Sequence, residues 1–232
     1  MAVTAILYDV HGNLPALEAV LGDARAAGAS QFVLGGDYAL FGPYPGEAVA
    51  ALRELPDTAW IRGNVDRWCA HPEQAGDDEL IGDAIAACRG ALGAAVVGEL
   101  DRLPEGVSLG ETQFFHASPI SDVRSFFPEP ADDEDELLGG LDSVPRVVFG
   151  HTHLQFRRVR PDGIELINPG SVGLPFDGDH RAAYALMRDD GSLELRRVAY
   201  DHEASAAAML ERFGWSAWTR RTVDRLRHAR LM

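Results

Sequence analysis

The 232-residue chain predicts an α/β protein whose sheet is mainly parallel in its first half and antiparallel in its second. Two observations predict this. Over residues 3–61 apolar, strand-like runs alternate with amphipathic helical ones, the order that yields a parallel sheet covered by helices. After residue 154, paired apolar runs flank Pro161-Asp162-Gly163 and Asp189-Asp190-Gly191, which is hairpin turn chemistry. A hydrophobic fraction of 46 % suffices for a real core. The length does not force two domains, and one domain is expected over residues 1–232, ending in a helical tail over 203–231.

The elements follow in order. Residues 3–8 (VTAILY) lack alternation, as expected for a strand buried on both faces. Leu14, Leu17, Val20, Leu21 and Ala24 give residues 14–28 an apolar helical face that Gly28 closes. Residues 31–34 read as a strand, 47–55 as a helix stopped by Pro56, and 58–61 as a third strand. Residues 70–103 read as irregular helix, with Asp77, Asp78, Glu79 and Asp83 solvated and Leu92, Val96, Val97 and Leu100 buried. Strands are expected at 112–116 and 146–149. Between them, residues 128–136 (PEPADDEDE) read as a solvated acidic loop. Hairpins are expected over 154–168 and 183–198. The tail breaks near Gly214, with Trp215, Trp218, Thr222 and Leu226 on its apolar face and Arg220, Arg221, Arg225, Arg227 and Arg230 mostly elsewhere. Those arginines read as complements of the helix dipole, with a basic contact surface for a partner chain as the alternative.

Composition removes several function classes. A net charge of −15 repels long anionic polymers, which argues against general nucleic-acid binding. All 21 basic residues are arginine, which excludes a P-loop lysine and every lysine-based mechanism. No apolar run approaches the ~20 residues of a membrane span, and the N-terminal segment lacks a basic leader. Cys69 and Cys88 have neither disulfide-scaffold nor zinc-knuckle spacing, and reduced thiols are expected. Together these favour a cytoplasmic protein with no membrane partner.

The chemistry is concentrated in five short motifs. They are Asp9-Val10-His11-Gly12-Asn13, Gly36-Asp37, Gly63-Asn64-Val65-Asp66, His116, and Gly150-His151-Thr152-His153. Each follows a predicted strand, where ligands gather in open α/β sheets. Extended backbone after the first strand would point Asp9 and His11 the same way. The glycines before Asp37, Asn64 and His151 would let the backbone turn tightly around a small ion. Two carboxylates, one carboxamide and four imidazoles are enough to hold two divalent cations, the arrangement for in-line attack on phosphorus. Of the other histidines, His71, His202 and His228 read as surface residues, and His180 is kept open as a site residue.

The ordered motifs resemble those of the calcineurin-like metallophosphoesterases, and most closely the small bacterial and archaeal phosphodiesterase branch. The resemblance covers residues 3–200, and Asn168-Pro169-Gly170-Ser171-Val172-Gly173 is similar to that branch's loop after the His-x-His. It implies a four-layer αββα sandwich, two mixed sheets flanked by helices. It implies that Asp9, His11 and His153 hold one metal, that Asn64, His116 and His151 hold a second, and that Asp37 bridges them. Asp37, Asn64 and His116 would then serve catalysis, with Asn13, Asn64 and Arg62 as donors to substrate and Asp66 without a defined role. The ligand set lacks thiolate and suits Mn above all, with Fe, Ni, Co or Zn as alternatives, over Mg or Ca. Attack by a hydroxide shared between the metals on a small-molecule phosphodiester is the implied reaction.

Departures bear on the substrate. Val65 stands where many relatives have a histidine thought to assist the leaving group, a contribution typically of ~10²–10⁴-fold. Tyr8 replaces a usually small residue, and Leu174 and Phe176 replace a frequent Gln and Arg. A phosphomonoesterase or protein phosphatase on the same site is the alternative, and a catalytically silent scaffold of the same fold is another. Amidohydrolases and metallo-β-lactamases are excluded, because the His-x-His is misplaced for the first and lacks the following Asp-His of the second. A homo-oligomer is compatible with the chain.

Overall fold

The computed structural model describes residues 2–141 and 144–231. Met1, Asp142, Ser143 and Met232, which fall within the expected domain, lie outside them. The first half holds β1 (Val3–Leu7), α1 (Leu14–Ala26), β2 (Ala29–Leu34), α2 (Pro45–Arg53), β3 (Thr58–Trp60), α3 (Asn64–Ala70), α4 (Glu79–Asp101), β4 (Gly106–Leu109) and β5 (Thr112–Phe115). The second holds α5 (Glu134–Leu138), β6 (Arg146–Val148), β7 (Phe156–Val159), β8 (Glu165–Asn168), β9 (Ala182–Arg188), β10 (Leu193–Val198), α6 (His202–Phe213) and α7 (Ala217–His228).

Two mixed five-stranded sheets result, ordered β10-β9-β1-β2-β3 and β4-β5-β6-β8-β7. In the first, β1, β2 and β3 run parallel while β9 and β10 pair antiparallel. In the second, β5, β6 and β8 run parallel with β4 and β7 antiparallel at its edges. Strand periodicity assigns side chains to layers. Ala5 and Leu7 of β1 pack outward with Leu17 and Val20 of α1. Ile6 packs inward with Val148 and Ile167 of the other sheet. Val147 and Leu166 turn to the far side, where Leu137 and Leu138 of α5 cover them. This is the expected αββα sandwich, and both hairpins form where expected.

Four expectations are corrected. The strand β4 follows a helix with no breaker beyond Pro104 and was not expected; its Ser108 and Leu109 are exposed at the sheet edge. The acidic run is not wholly solvated. Its end forms α5, and Glu134 is 5 % exposed, bonded to the guanidiniums of Arg158 and Arg160. Trp215 is 72 % exposed and lies off the apolar face of α7. Finally, α4 runs 23 residues and is apolar and long enough, by length and composition, to cross a membrane. Asp83 and Arg89 interrupt its sequence, and Gly93 (φ 75°) kinks it. Ala84, Ile85, Cys88, Leu92, Val97 and Leu100 join the core.

Candidate metal centre

The motifs meet where parallel strands end. Asp9 and His11 follow β1, Asp37 follows β2, Asn64 follows β3 and opens α3, His116 follows β5, and His151 and His153 follow β6. Asp9, His11, Asp37, Asn64, His116 and His153 are each 5 % exposed or less. Ligand atoms of Asp9, His11, Asp37 and His153 lie within 4.8 Å of one another, as do those of Asp37, His116 and His151. Asp37 belongs to both groups. Its Oδ2 lies 3.7 Å from His11 Nε2 and its Oδ1 3.4 Å from His116 Nε2.

The backbone achieves this differently from the extended run expected after β1. Asp9 (φ 55°), His11 (φ 48°), Asp37 (φ 59°), His151 (φ 68°) and His153 (φ 59°) all adopt left-handed conformations. They make up most of the non-glycine residues in that region among the described ones. Such backbone is costly and persists where surrounding structure imposes it, which is typical of functional sites. The imposition is visible. Ser171 Oγ donates to the Asp9 carbonyl at 2.8 Å, as do the N–H of Gly173 at 3.0 Å and, to Tyr8, that of Val172 at 3.0 Å. Asn168 Nδ2 donates to the Gly150 carbonyl and to Thr152. Two glycines give the side chains room. A Cβ on Gly63 would stand 2.1 Å from Asp37 Oδ1, and one on Gly150 would stand 2.7 Å from Asp9 Oδ2.

Hydrogen bonding sets the tautomers. His11 Nδ1 faces the Leu40 carbonyl at 2.7 Å, His116 Nδ1 that of Gly35 at 2.8 Å, and His153 Nδ1 that of Leu174 at 2.5 Å. A carbonyl only accepts, so each Nδ1 carries the proton and each Nε2 presents a lone pair. Such backbone-tethered imidazoles are the usual outer support of metal ligands. The His11 and His153 Nε2 atoms approach to 3.1 Å, two acceptors facing each other. Asp9 Oδ1 is buried with no hydrogen-bond partner. A cation answers both features at once. Around the second group, the Asn64 carboxamide lies 2.8 Å from His151 Nδ1 and 2.9 Å from His116 Nε2. Turned nitrogen-inward, it would donate to both rings; turned oxygen-inward, it completes three converging acceptors, the orientation a bound cation selects. The residues present therefore fit divalent cations.

Burial dominates the electrostatics. Desolvation pushes His11 down to about 3, His116 to about 4 and His151 to about 3, and lowers His153 strongly. All four imidazoles are thus neutral near pH 7, the form that binds metal. Desolvation raises Asp37 to about 8, and raises Asp9 well above the usual range, with Asp37 adding to the effect. Neighbouring buried carboxylates without a cation hold protons; cations would restore the ionised forms.

Two expected substrate contacts are corrected. Arg62 donates to the Asp101 carbonyl at 2.9 Å and to Glu105 at 2.7 Å, which turns its guanidinium away from the cluster. Asn13 is 1 % exposed and fully engaged. Its Oδ1 caps α1 through Ala16 N–H and accepts from Ser205, and its Nδ2 donates to the Gly173 carbonyl and to Tyr200. His180, kept open above, stacks on His202 and bonds the Arg227 carbonyl, outside the cluster. Asp66 gains a defined place: its carboxylate accepts from the backbone N–H groups of Gly63, Asp37 and Tyr38 at 2.8, 2.9 and 3.2 Å.

The cluster opens onto a cavity of about 620 Å³ lined by Val65, Trp68, Leu174, Phe176, Trp218 and Arg225, among others. Arg225 was expected away from the apolar face of the tail, yet it lines this cavity. The signal was present, since position 225 follows 218 and 222 at helical spacing. Asp122 was also missed. Arg67 holds it bidentately at 2.7 and 2.8 Å, and its charge reaches His116 and His151.

A sandwich of two mixed sheets with a histidine-carboxylate cluster at its strand ends defines a metal-binding α/β hydrolase architecture. The chain belongs to the calcineurin-like phosphoesterase superfamily, whose domain matches residues 1–191. It is 30 % identical over 216 residues to the uncharacterized protein MJ0912 of Methanocaldococcus jannaschii, covering 86 % of this chain and 88 % of that protein. Among solved structures it resembles a metallophosphoesterase from Sphaerobacter thermophilus, with a TM-score of 0.82 and 27 % identity over 98 % of this chain and 99 % of that one. The protein PH1004 from Pyrococcus horikoshii shares the fold, with a TM-score of 0.85 at 18 % identity over 99 % of each chain. Family and relatives indicate phosphoesterase activity.

Proposed function

We propose that this protein is a two-cation phosphodiesterase acting on small molecules, and that residues 1–232 work as one unit. The observation that carries the proposal is the carboxylate of Asp37, whose two oxygens face different histidine groups. Asp9, His11 and His153 would hold one ion, Asn64, His116 and His151 the other, and Asp37 both. Manganese is the first candidate, with Fe, Ni, Co or Zn as alternatives, because the donors are imidazole, carboxylate and carboxamide without thiolate. Two such ions bound there would supply a nucleophile from water near neutral pH and would offset charge on the phosphoryl oxygens.

The remaining contributions belong to the chain. The left-handed turns and the loop from Asn168 hold the ligand atoms in place before substrate arrives, so little reorganisation accompanies reaction. The imidazoles are already neutral and need shed no proton. Val65, 3 % exposed, leaves no proton donor at the position where many relatives carry histidine, so leaving groups must depart as stable anions. Activated aryl esters and phosphoanhydrides should react well, and simple alkyl esters slowly. The apolar cavity wall favours a diester, whose second arm it can cover, over a doubly charged monoester.

Metal-stripped protein reloaded with Mn²⁺ and offered bis-p-nitrophenyl phosphate and p-nitrophenyl phosphate tests the reading. Faster turnover of the diester is expected. Preference for the monoester points to a phosphatase, and no turnover of either by metal-loaded protein points to a scaffold.

A further inference from the structure

The cavity beside the cluster is lined mainly by apolar side chains. Trp68, Leu80, Ile81, Leu154 and Phe176 line it, and Val123, Phe127 and Leu231 form an apolar rim that is 43, 49 and 71 % exposed. Three arginines also line it. Arg124 is paired with Asp133 and Glu136, and Arg221 with Asp78. Arg225 differs: among the described residues no carboxylate stands within ion-pair distance of it, Asp78 acting on it only from further off, and its Nε is buried without a hydrogen-bond partner. Its guanidinium lies 5.7 Å from the centroid of the Phe176 ring, and that ring stacks at 4.4 Å on His153. Its charge is felt at His11. Burial lowers it to about 10, which leaves it cationic near neutral pH. A partly desolvated guanidinium without an ion-pair partner in an apolar chamber is a strong recognition element for a single anionic group.

The Asn168–Gly173 loop runs on to Phe176, whose ring lies between Arg225 and the cluster, stacked on His153. Arg225 reaches that same ring from α7, beyond the residues that match the family domain. The tail thus supplies a cation to the wall of the chamber. One unpaired cation matches the single negative charge of a diester. A chamber of about 620 Å³ lies within the range typical of small-molecule pockets, roughly 300–1,000 Å³.

Resting on the phosphodiesterase reading, we propose that Arg225 is the phosphate-binding residue of this site and that the chamber receives an aromatic arm of the ester. The substrate class is therefore an aryl-bearing phosphodiester. Binding tests this separately from turnover. Full-length Mn²⁺-loaded protein is titrated calorimetrically with diphenyl phosphate and with dimethyl phosphate. The diphenyl ester should bind at least roughly ten-fold more tightly, since burying an aromatic ring outweighs that factor. Arg225→Gln should weaken both ligands roughly ten- to hundred-fold and keep their ratio, and Arg225→Lys should recover part of the loss. Phe127→Ser, at a half-exposed position, should shrink the ratio while leaving dimethyl phosphate unchanged. Equal affinities for the two esters, or an Arg225→Gln protein that binds both as before, would overturn the proposal. If binding behaves as expected without hydrolysis of bis-p-nitrophenyl phosphate, the hydrolase reading fails and the subsite stands. If hydrolysis proceeds while the binding differences are absent, the subsite fails alone.

Discussion

Asp37 and Asp66 hold each other's segments in place. Asp66 Oδ2 accepts the backbone N–H of Asp37 at 2.9 Å, while Asp37 Oδ1 accepts the N–H of Val65, the residue before Asp66, at 3.0 Å. The loop after β2 is thereby pinned to the start of α3, and the carboxylate shared by both ligand groups is fixed from behind. Asp66→Ala would leave three buried N–H donors unanswered. At about 1–3 kcal/mol for each unsatisfied group, urea denaturation should show a loss of ~3 kcal/mol or more, together with weaker Mn²⁺ binding. Asp66→Asn keeps one acceptor oxygen and should recover part of the stability. An Asp66→Ala protein as stable as wild type would remove the positioning role.

Asp37 is the residue whose loss should affect both ions. Asp37→Ala is expected to abolish turnover of bis-p-nitrophenyl phosphate and to lower metal content at both positions, read by elemental analysis after gel filtration. Two tightly retained ions per chain in this variant would contradict the bridging assignment.

Cation binding should release protons from carboxyls and not from imidazoles. Desolvation raises Asp37 to about 8 in the metal-free protein, while His11, His116 and His151 titrate only near 3 to 4. At pH 6.5 the proton to be displaced therefore sits on the carboxyl, and affinity should climb with pH up to about 8, by about ten-fold per unit for each proton released. Calorimetry in buffers of different ionisation enthalpy measures the release. The same shifts set the acid stability of the metal-free protein. The buried imidazoles have folded-state values below the unfolded value of 6.5, so the unfolded chain takes up protons first. Stability is lost as pH falls from about 6.5 toward 4. The raised carboxyls of Asp9, Asp37 and Asp66 act in the opposite sense, costing stability as pH rises from about 4 to about 8. The two effects oppose each other below pH 6.5, so the window from 6.5 to 8 isolates the carboxyls, and a metal-free protein whose stability does not fall there would contradict these assignments.

The buried pairs of α5 should matter for stability alone. Glu134, 5 % exposed, bonds Arg158 and, at 2.8 Å, Arg160 of the β7 segment. Removing Glu134 leaves Arg158 without a carboxylate, whereas Arg160 keeps Asp135 and Asp162, so the cost should fall below the roughly 3–5 kcal/mol of a fully stranded buried charge. Glu134→Ala should therefore lower the urea midpoint while Mn²⁺ affinity stays unchanged. A midpoint within experimental error of wild type would show these pairs to be solvent-screened.

Much of the fold was legible in local pattern. The unbroken apolar run of β1, the helical face of α1 and the turn chemistry at Gly163 and Gly191 depend on neighbours within a few residues, and such neighbours are what a chain displays directly. What failed depended on distant partners. The charges of residues 128–136 look solvated until Arg158 and Arg160, more than 20 residues away, bury one of them. Asn13 reads as a helix cap with a spare amide until Tyr200 and Ser205 arrive from the tail and occupy it. The extended backbone expected between Asp9 and His11 is displaced by left-handed turns, which Asp and His tolerate better than most residues and which contacts from Ser171 and Gly173 hold.

The amino-acid sequence alone determined the inventory and order of the ligand residues, the α/β class and the absence of lysine chemistry, because these follow from residue types and short-range periodicity. Only the tertiary structure decided which side chains meet. Rings 142 residues apart, His11 and His153, face each other across 3.1 Å. Arg62 turns away, and Arg225 turns in. Convergence at that scale is set by how two sheets and the helices covering them pack, and packing is a property of the whole chain, which no short stretch of it records.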